Sequence, residues 1–231
     1  MPPSPAALRA ESIADKVYAL LRQEIASGVF RPGQRIHEKT LAARLGISRT
    51  PIREALIRLE TEGVVVCTSR RSYNVRILTV DDVRQIYETL GILEGAAVRA
   101  VAPRLTDADL RELRHHNRMM AEAAARADLP AFGGLNRAFH DVFLQKLENA
   151  VLRDTCTMVR GPLYTFPVQR QTLAEWLRKS VAEHRVAIRL AAARDAEGLG
   201  AFFRDVHWSF ERNAPFITDA FDHQGEAALH L

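Results

Sequence analysis

Cysteine is scarce in this chain: Cys67 and Cys156 are the only two among 231 residues. They lie far apart and match no ligand or redox spacing, which excludes a cysteine-built zinc site or a dithiol centre. Both thiols read as packing residues of a reduced protein. Long apolar runs are missing too. None approaches the roughly 20 residues of a membrane span, so no membrane partner is expected. The first ten residues carry Pro2, Pro3 and Pro5 and lack the apolar stretch of a signal peptide. They read as a loose tail (1–10), and the protein is expected in the cytoplasm. Strand patterns are lacking beyond residue 79.

What is present is a chain long enough for two modest domains, with 47% hydrophobic residues to build cores. The net charge of +4 is unevenly spread. Residues 1–78 hold 13 Lys/Arg against 7 Asp/Glu, or +6; residues 79–231 hold 19 against 21, or −2. A basic head on a mildly acidic body points the head toward a polyanion.

The head is expected over residues 11–78. Ser12 can cap a first helix, with Asp15 in its first turn. Ile13, Val17, Leu20, Leu21 and Ile25 recur at helical spacing, and Gly28 stops the run. Pro32-Gly33 marks a turn. A short helix follows over about Glu38–Leu45, ended by Gly46 in the left-handed conformation. Ile47 plugs the space before a third helix that Ser48 or Thr50 caps and that tolerates Pro51 in its first turn. Ile52, Ala55, Leu56 and Leu59 form its buried face. Arg49 and Arg53, four apart, then share the exposed face near its start, the end of a recognition helix that reaches base edges. Ser48 and Thr50 lie at the same end and join the expected DNA-contacting set. After Gly63, Val64-Val65-Val66 and the alternating Tyr73–Ile77 read as a two-stranded hairpin. Arg70 and Arg71 stand at its tip, placed for phosphates or a minor groove.

The body, residues 79–215, reads as six helices forming an antiparallel bundle. Thr79 with Asp82 and Thr106 with Asp109 look like capping boxes, and Asp128, Thr172 and Asp195 open further helices. Gly161-Pro162 should break the fourth. Pro215 is expected beyond the last helix, with residues 216–231 an aperiodic tail. The fold class is therefore mainly α, with one small β-hairpin wing.

Three histidines face inward on this reading. His140 shares a face with Phe132, Asn136 and Phe143. His184 is in line with Leu177, Val181 and Ile188. His207 lies with Phe203 and Phe210. Each alone reads as a core residue. Together, from three helices, they can converge on one divalent metal such as Zn²⁺ or Ni²⁺, with positions left open for a ligand.

Two resemblances bear on these residues. The run from Pro32-Gly33 through Glu38-Lys39-Thr40-Leu41-Ala42, Leu45-Gly46-Ile47-Ser48-Arg49-Thr50-Pro51-Ile52-Arg53-Glu54-Ala55-Leu56, to Leu59–Gly63 resembles the winged helix-turn-helix of GntR-family bacterial transcription regulators. The resemblance implies base reading by Arg49 and Arg53. A further family arginine falls on Lys39, which supplies charge without a bidentate fork and so suits a phosphate. The usual wing-tip glycine is Ser72. The body is similar to the FCD ligand-binding domain of the FadR subfamily. The supporting motifs are Asn136-Arg-Ala-Phe139-His140, Glu183-His184 with Ile188, and His207. That resemblance implies a metal held by Asn136, His140, His184 and His207, with Asn136 standing where most relatives have Asp. An arginine common in relatives four residues before Glu94 is Leu90 here. A carboxylate effector would then rely on the metal or on another arginine such as Arg160 or Arg170. Glu94 itself reads as an ordinary helix carboxylate.

The expected function is a homodimeric, sequence-specific transcription regulator, a repressor, on a pseudo-palindromic operator in double-stranded DNA. A small metabolite, such as an organic acid, would switch it at the bundle's metal. The rival is a helical metal-dependent enzyme with a nucleic-acid-binding head. Against it, the Glu-x-x-His pairs of di-iron bundles are absent: positions 137, 181 and 204 are Arg, Val and Arg.

Overall fold

A computed structural model describes residues 12–69, 72–164 and 173–221. Backbone contacts divide the chain between Arg76 and Ile77 into two compact units.

In the first unit, α1 (Ile13–Ala26) starts at Ser12, which forms a reciprocal capping box with Asp15. Val17, Leu21 and Ile25 are buried as the spacing predicts, but Ile13 is 57% exposed. It sits in the first turn, ahead of the partners the rest of the stripe meets. β1 (Arg35–His37) leads into α2 (Glu38–Leu45), and Gly46 ends α2 with φ +66°. The recognition-helix candidate α3 (Arg49–Thr61) buries Ile52, Ala55, Leu56 and Leu59. Full burial of each large apolar side chain is worth roughly 1.5–3 kcal/mol, which holds α3 with its opposite face outward.

The wing strands β2 (Val65–Ser69) and β3 (Ser72–Val75) pair antiparallel, with a register shift between Cys67 and Ser69. The expected two-stranded hairpin is in fact a three-stranded sheet, because β1 pairs with β3 in the order β1-β3-β2. Three residues with one buried side chain, Ile36, are too few to show a period. Arg70 and Arg71, the expected wing tip, lie outside the described residues.

The second unit is helical. α4 (Val80–Val101) begins at a Thr79–Asp82 capping box, and α5 (Asp107–Ala125) at one between Thr106 and Asp109. α6 (Leu129–Leu144) is capped by Asp128 and α7 (Ala150–Arg160) by Asn149. As expected, α7 breaks at Gly161-Pro162 into a 3₁₀ turn. α8 (Leu173–Ala192) follows; the expected cap Thr172 and the candidate Arg170 lie outside the described residues.

The expected sixth helix is divided. α9 (Ala196–Phe202) passes into a π-helical turn over Phe203–His207, and α10 (Phe210–Phe221) restarts after Ser209. Pro215 therefore sits inside a helix, and the tail expected from residue 216 is helical to Phe221. Asn213, Ile217 and Ala220 are buried one turn apart on α10. Their burial offsets a proline cost of about 3 kcal/mol. The break and the proline together hid the period.

α4 is the axis against which α7, α9, the π turn and α10 pack. The reason is local. A Cβ on Gly95 would lie 3.0 Å from the Gly200 carbonyl oxygen, and one on Gly200 would lie 3.0 Å from the Gly95 carbonyl oxygen. A side chain at either position would press on the facing backbone, so the two backbones meet closely. That close crossing brings the π turn, with His207 and Trp208, onto the middle of α4.

Candidate DNA-reading face and candidate metal centre

The exposed start of α3 presents Arg49 and Thr50, with Ser48 as its N-cap. The Ser48 hydroxyl makes no capping hydrogen bond, so donors of the first turn remain open to an anion. Arg49 and, on α2, Lys39 are exposed.

Arg53 is also on this face but is not simply solvated. Its Nε and Nη2 donate to Glu38 Oε1 and Oε2 at 2.9 Å each. Arg53 is 49% exposed while Glu38 is 1% exposed. The hydrogen bonds and charge of Glu38 raise the Arg53 pKa. Sequence reasoning missed Glu38. Its only signal was a carboxylate at the start of α2 that reads as a helix-dipole residue. Two other arginines of this unit are committed internally. Arg44 pairs with Glu24 at 2.6 Å. Arg58 lies 3.8 Å from the centroid of the Tyr18 ring and pairs with Asp15.

In the second unit the three histidines converge. His140 on α6, His184 on α8 and His207 in the π turn are all buried, with one potential ligand atom from each within 4.8 Å of the others. The residues that orient them come from elsewhere. Glu94, fully buried on α4, lies 2.7 Å from His140 Nδ1 through Oε1 and accepts from Trp208 Nε1 at 2.7 Å through Oε2. Glu183 on α8 lies 2.9 Å from His207 Nδ1, and Lys179 Nζ holds its other oxygen at 2.7 Å.

These carboxylates choose the tautomers. Each Nδ1 carries the proton it donates, so Nε2 of His140 and Nε2 of His207 are both left with lone pairs. Burial pushes the His140 pKa down to about 4 despite the pull of Glu94, and pushes His184 well below the ordinary range. Burial would raise Glu94, but the hydrogen bond from His140 and the charge of Arg160 outweigh it and hold Glu94 below the usual carboxylate range.

The two Nε2 atoms stand 3.3 Å apart. With both protons on Nδ1 there is none to bridge them, and facing lone pairs repel unless a cation lies between. Two nitrogens bound to one zinc-like ion at about 2.0–2.1 Å stand about 3.3 Å apart at a tetrahedral angle. His184 adds a second sign: among the described residues neither of its nitrogens has a hydrogen-bond partner, though the ring is buried and stacked on Phe139 with centroids 3.8 Å apart. The amide oxygen of Asn136, one turn before His140, is likewise buried without a partner among the described residues. Such stranded groups cost roughly 1–3 kcal/mol each unless something else binds them. The donor set therefore fits a divalent, nitrogen-ligated metal.

Arg160 is not placed as an open anchor for an effector. It is almost fully buried, its Nη1 lies 3.4 Å from Glu94 Oε1, and its Nη2 donates to Asp141. Internal carboxylates already compensate its charge, so a ligand carboxylate would have to displace them. Glu94 and Glu183 are the functional residues that inspection of the sequence underrated. The pairing Glu183-His184 was visible, but its carboxylate serves His207 rather than its neighbour.

Comparisons with known proteins agree with this architecture. Residues 13–75 match the family of bacterial regulatory proteins named gntR, and residues 85–206 match the FCD domain. The Nta operon transcriptional regulator of Aminobacter aminovorans is 46% identical over 85 residues, 37% of this chain and 40% of that regulator's length. An uncharacterised HTH-type transcriptional regulator from the TAR-I ttuE-ttuC' intergenic region of Agrobacterium vitis is 33% identical over 132 residues, 55% of this chain and 76% of that protein. Among solved structures, Escherichia coli McbR/YncC superposes with a TM-score of 0.72 at 23% identity, covering 90% of this chain and 98% of that one. That last likeness concerns the fold. The helix-turn-helix and the helical unit that carries His140 and His184 thus each fall within a matched family, and the chain is a member of the GntR family of transcription regulators that carries an FCD effector domain.

Proposed function

We propose that this regulator binds a pseudo-palindromic operator as a homodimer, represses from it, and responds to a small organic acid at the histidine centre. Arg49 and Arg53 read bases, while Lys39, Ser48 and Thr50 hold phosphates, joined at the wing by Arg70 and Arg71. One head reaches few base pairs, so two heads on symmetric half-sites multiply specificity. The protein acts in the cytoplasm, on the nucleoid.

His140, His184, His207 and Asn136 hold the metal, which is Zn²⁺ or Ni²⁺. When bound, such an ion supplies a positive site that accepts an oxygen ligand. The chain's own residues do the rest. Glu94 and Glu183 keep the Nδ1 protons and aim both Nε2 lone pairs at one point. The 3.3 Å approach of those two atoms is the observation that carries this reading. The acid switches DNA binding only if it prefers one of two arrangements of the protein. A coupling of about 1–3 kcal/mol shifts operator affinity roughly 5- to 150-fold.

The test has two steps. Selection from a random duplex pool yields the operator, and binding is then titrated with metal-stripped, Zn²⁺-loaded and Ni²⁺-loaded protein against a panel of carboxylic acids. Acid-dependent release from the operator only in a metal-loaded form is expected. An operator affinity indifferent to metal and to every acid would overturn the effector reading.

A further inference from the structure

Arg53 is held in an unusual way for an exposed base-reading candidate. Its Nε–Nη2 edge is taken by Glu38 at 2.9 Å on both oxygens. Among the described residues it makes no other hydrogen bond or ion pair. One edge of the planar guanidinium is thus fixed from below, and the edge built on Nη1 stays uncommitted while half of the side chain is exposed.

Glu38 pays no obvious structural debt by doing this. α2 and α3 already pack on each other, and Leu41 of α2 and Ile52 and Leu56 of α3 are buried. A buried carboxylate is costly to keep when an apolar residue of similar size would serve the packing. It also places a negative charge beside a surface meant for a polyanion, which by simple charge counting weakens DNA binding. A group that opposes both packing and non-specific attraction must be explained by geometry.

We infer that Glu38 is a positioning residue for base recognition: by clamping one edge of Arg53 it sets the plane in which the other edge meets a base, and so sets preference at one position in each half-site. This rests on the reading that Arg53 faces bases. A free arginine loses rotamer entropy when it docks on a guanine. One already forked to a carboxylate loses less, because the carboxylate has ordered it beforehand. The guanidinium can be bidentate on both sides, since its five donors are distributed over three nitrogens. Lys39, next in sequence and with no such partner among the described residues, gains none of this ordering and suits a backbone contact.

The inference separates specific from non-specific binding. A well-made bidentate arginine contact discriminates roughly 5- to 150-fold against a wrong base. In the full-length Glu38→Gln protein, discrimination at one base position per half-site should fall at least about threefold. Affinity for random duplex should not fall, because a negative charge has been removed. The measurement is selection from a random duplex pool, followed by titration of single-base operator variants, on wild type, Glu38→Gln, Arg53→Ala and the double variant. Preference in the double variant should be no more relaxed than in Arg53→Ala alone. Glu38→Met provides a second unclamped protein whose buried site is apolar, so a folding defect in the glutamine variant does not block the test. A melting curve on each variant separates folding from recognition.

A uniform loss at all base positions, or an unchanged preference profile in folded Glu38→Gln and Glu38→Met, would make the pair a structural tie and overturn the inference. Further relaxation in the double variant at a second position would also overturn it, because Glu38 would then act on something besides Arg53. An unchanged profile in Arg53→Ala sinks the underlying reading of Arg53 instead, and does so independently of the Glu38 variants.

Discussion

The two units of this regulator handle charge in opposite ways. The first carries +6 over residues 1–78 and leaves Arg49 and Lys39 exposed, with Arg53 half so. The second draws its chemistry inward: Glu94, His140 and His184 are fully buried and Arg160 nearly so. An exposed cation keeps its charge in water and needs little from its neighbours. A buried imidazole needs its proton assigned, its burial compensated and its lone pair aimed. The candidate DNA-reading face can therefore be built from the neighbouring helices α2 and α3 and the α3 cap, whereas the histidine centre needs α4, α6, α8 and the π turn together.

Substitutions should expose that contrast, and the largest effects belong to the interior. His140→Ala combined with His184→Ala should reduce metal in the purified protein from one per chain to near zero, measured by elemental mass spectrometry. Unchanged metal content would leave the cluster as core packing. Glu94→Gln keeps the volume but loosens the His140 tautomer, and metal affinity should fall about 10- to 100-fold in competition with a chelating dye. On the outer face, Arg49→Ala should cost about 1–3 kcal/mol per contacted base and relax the operator profile, with no loss in melting temperature because Arg49 makes no hydrogen bond or ion pair among the described residues. A smaller effect of opposite sign is expected from His184→Leu. With metal absent, removing two unpartnered buried nitrogens should stabilise the protein by about 1 kcal/mol, raising the melting temperature while abolishing metal binding. The least effect is Lys39→Ala, which should flatten the salt dependence of binding by about 0.9 in the log–log slope and leave base preference alone.

The difference in legibility follows the same line. α2, α3 and their separating glycine are spelled in local signals, and Gly46 takes the left-handed conformation its position requires. The capping boxes at Thr79 and Thr106 were readable because each is a four-residue device. The histidines were readable as inward-facing because helical period alone sets the face. Their orienting groups were not. Glu94 is 46 residues from His140 and 114 from Trp208; it falls on the buried stripe of α4 one turn after Leu90, but the period of α4 does not say which groups it meets there. The division of the last helix was hidden for a related reason. The π turn over Phe203–His207 is stabilised by packing on Gly91 and Gly95 of α4, which no local pattern reports.

Local sequence determined the helices, their caps, the charge asymmetry and the faces on which Arg49, Arg53, His140 and His184 lie, because those depend on residues within a turn or two. Tertiary structure decided which carboxylate owns which histidine proton, that Arg160 is spoken for, and that Glu38 grips Arg53. Each of these is a contact between separate elements, whose energy exists only once the backbones have been brought within hydrogen-bonding distance.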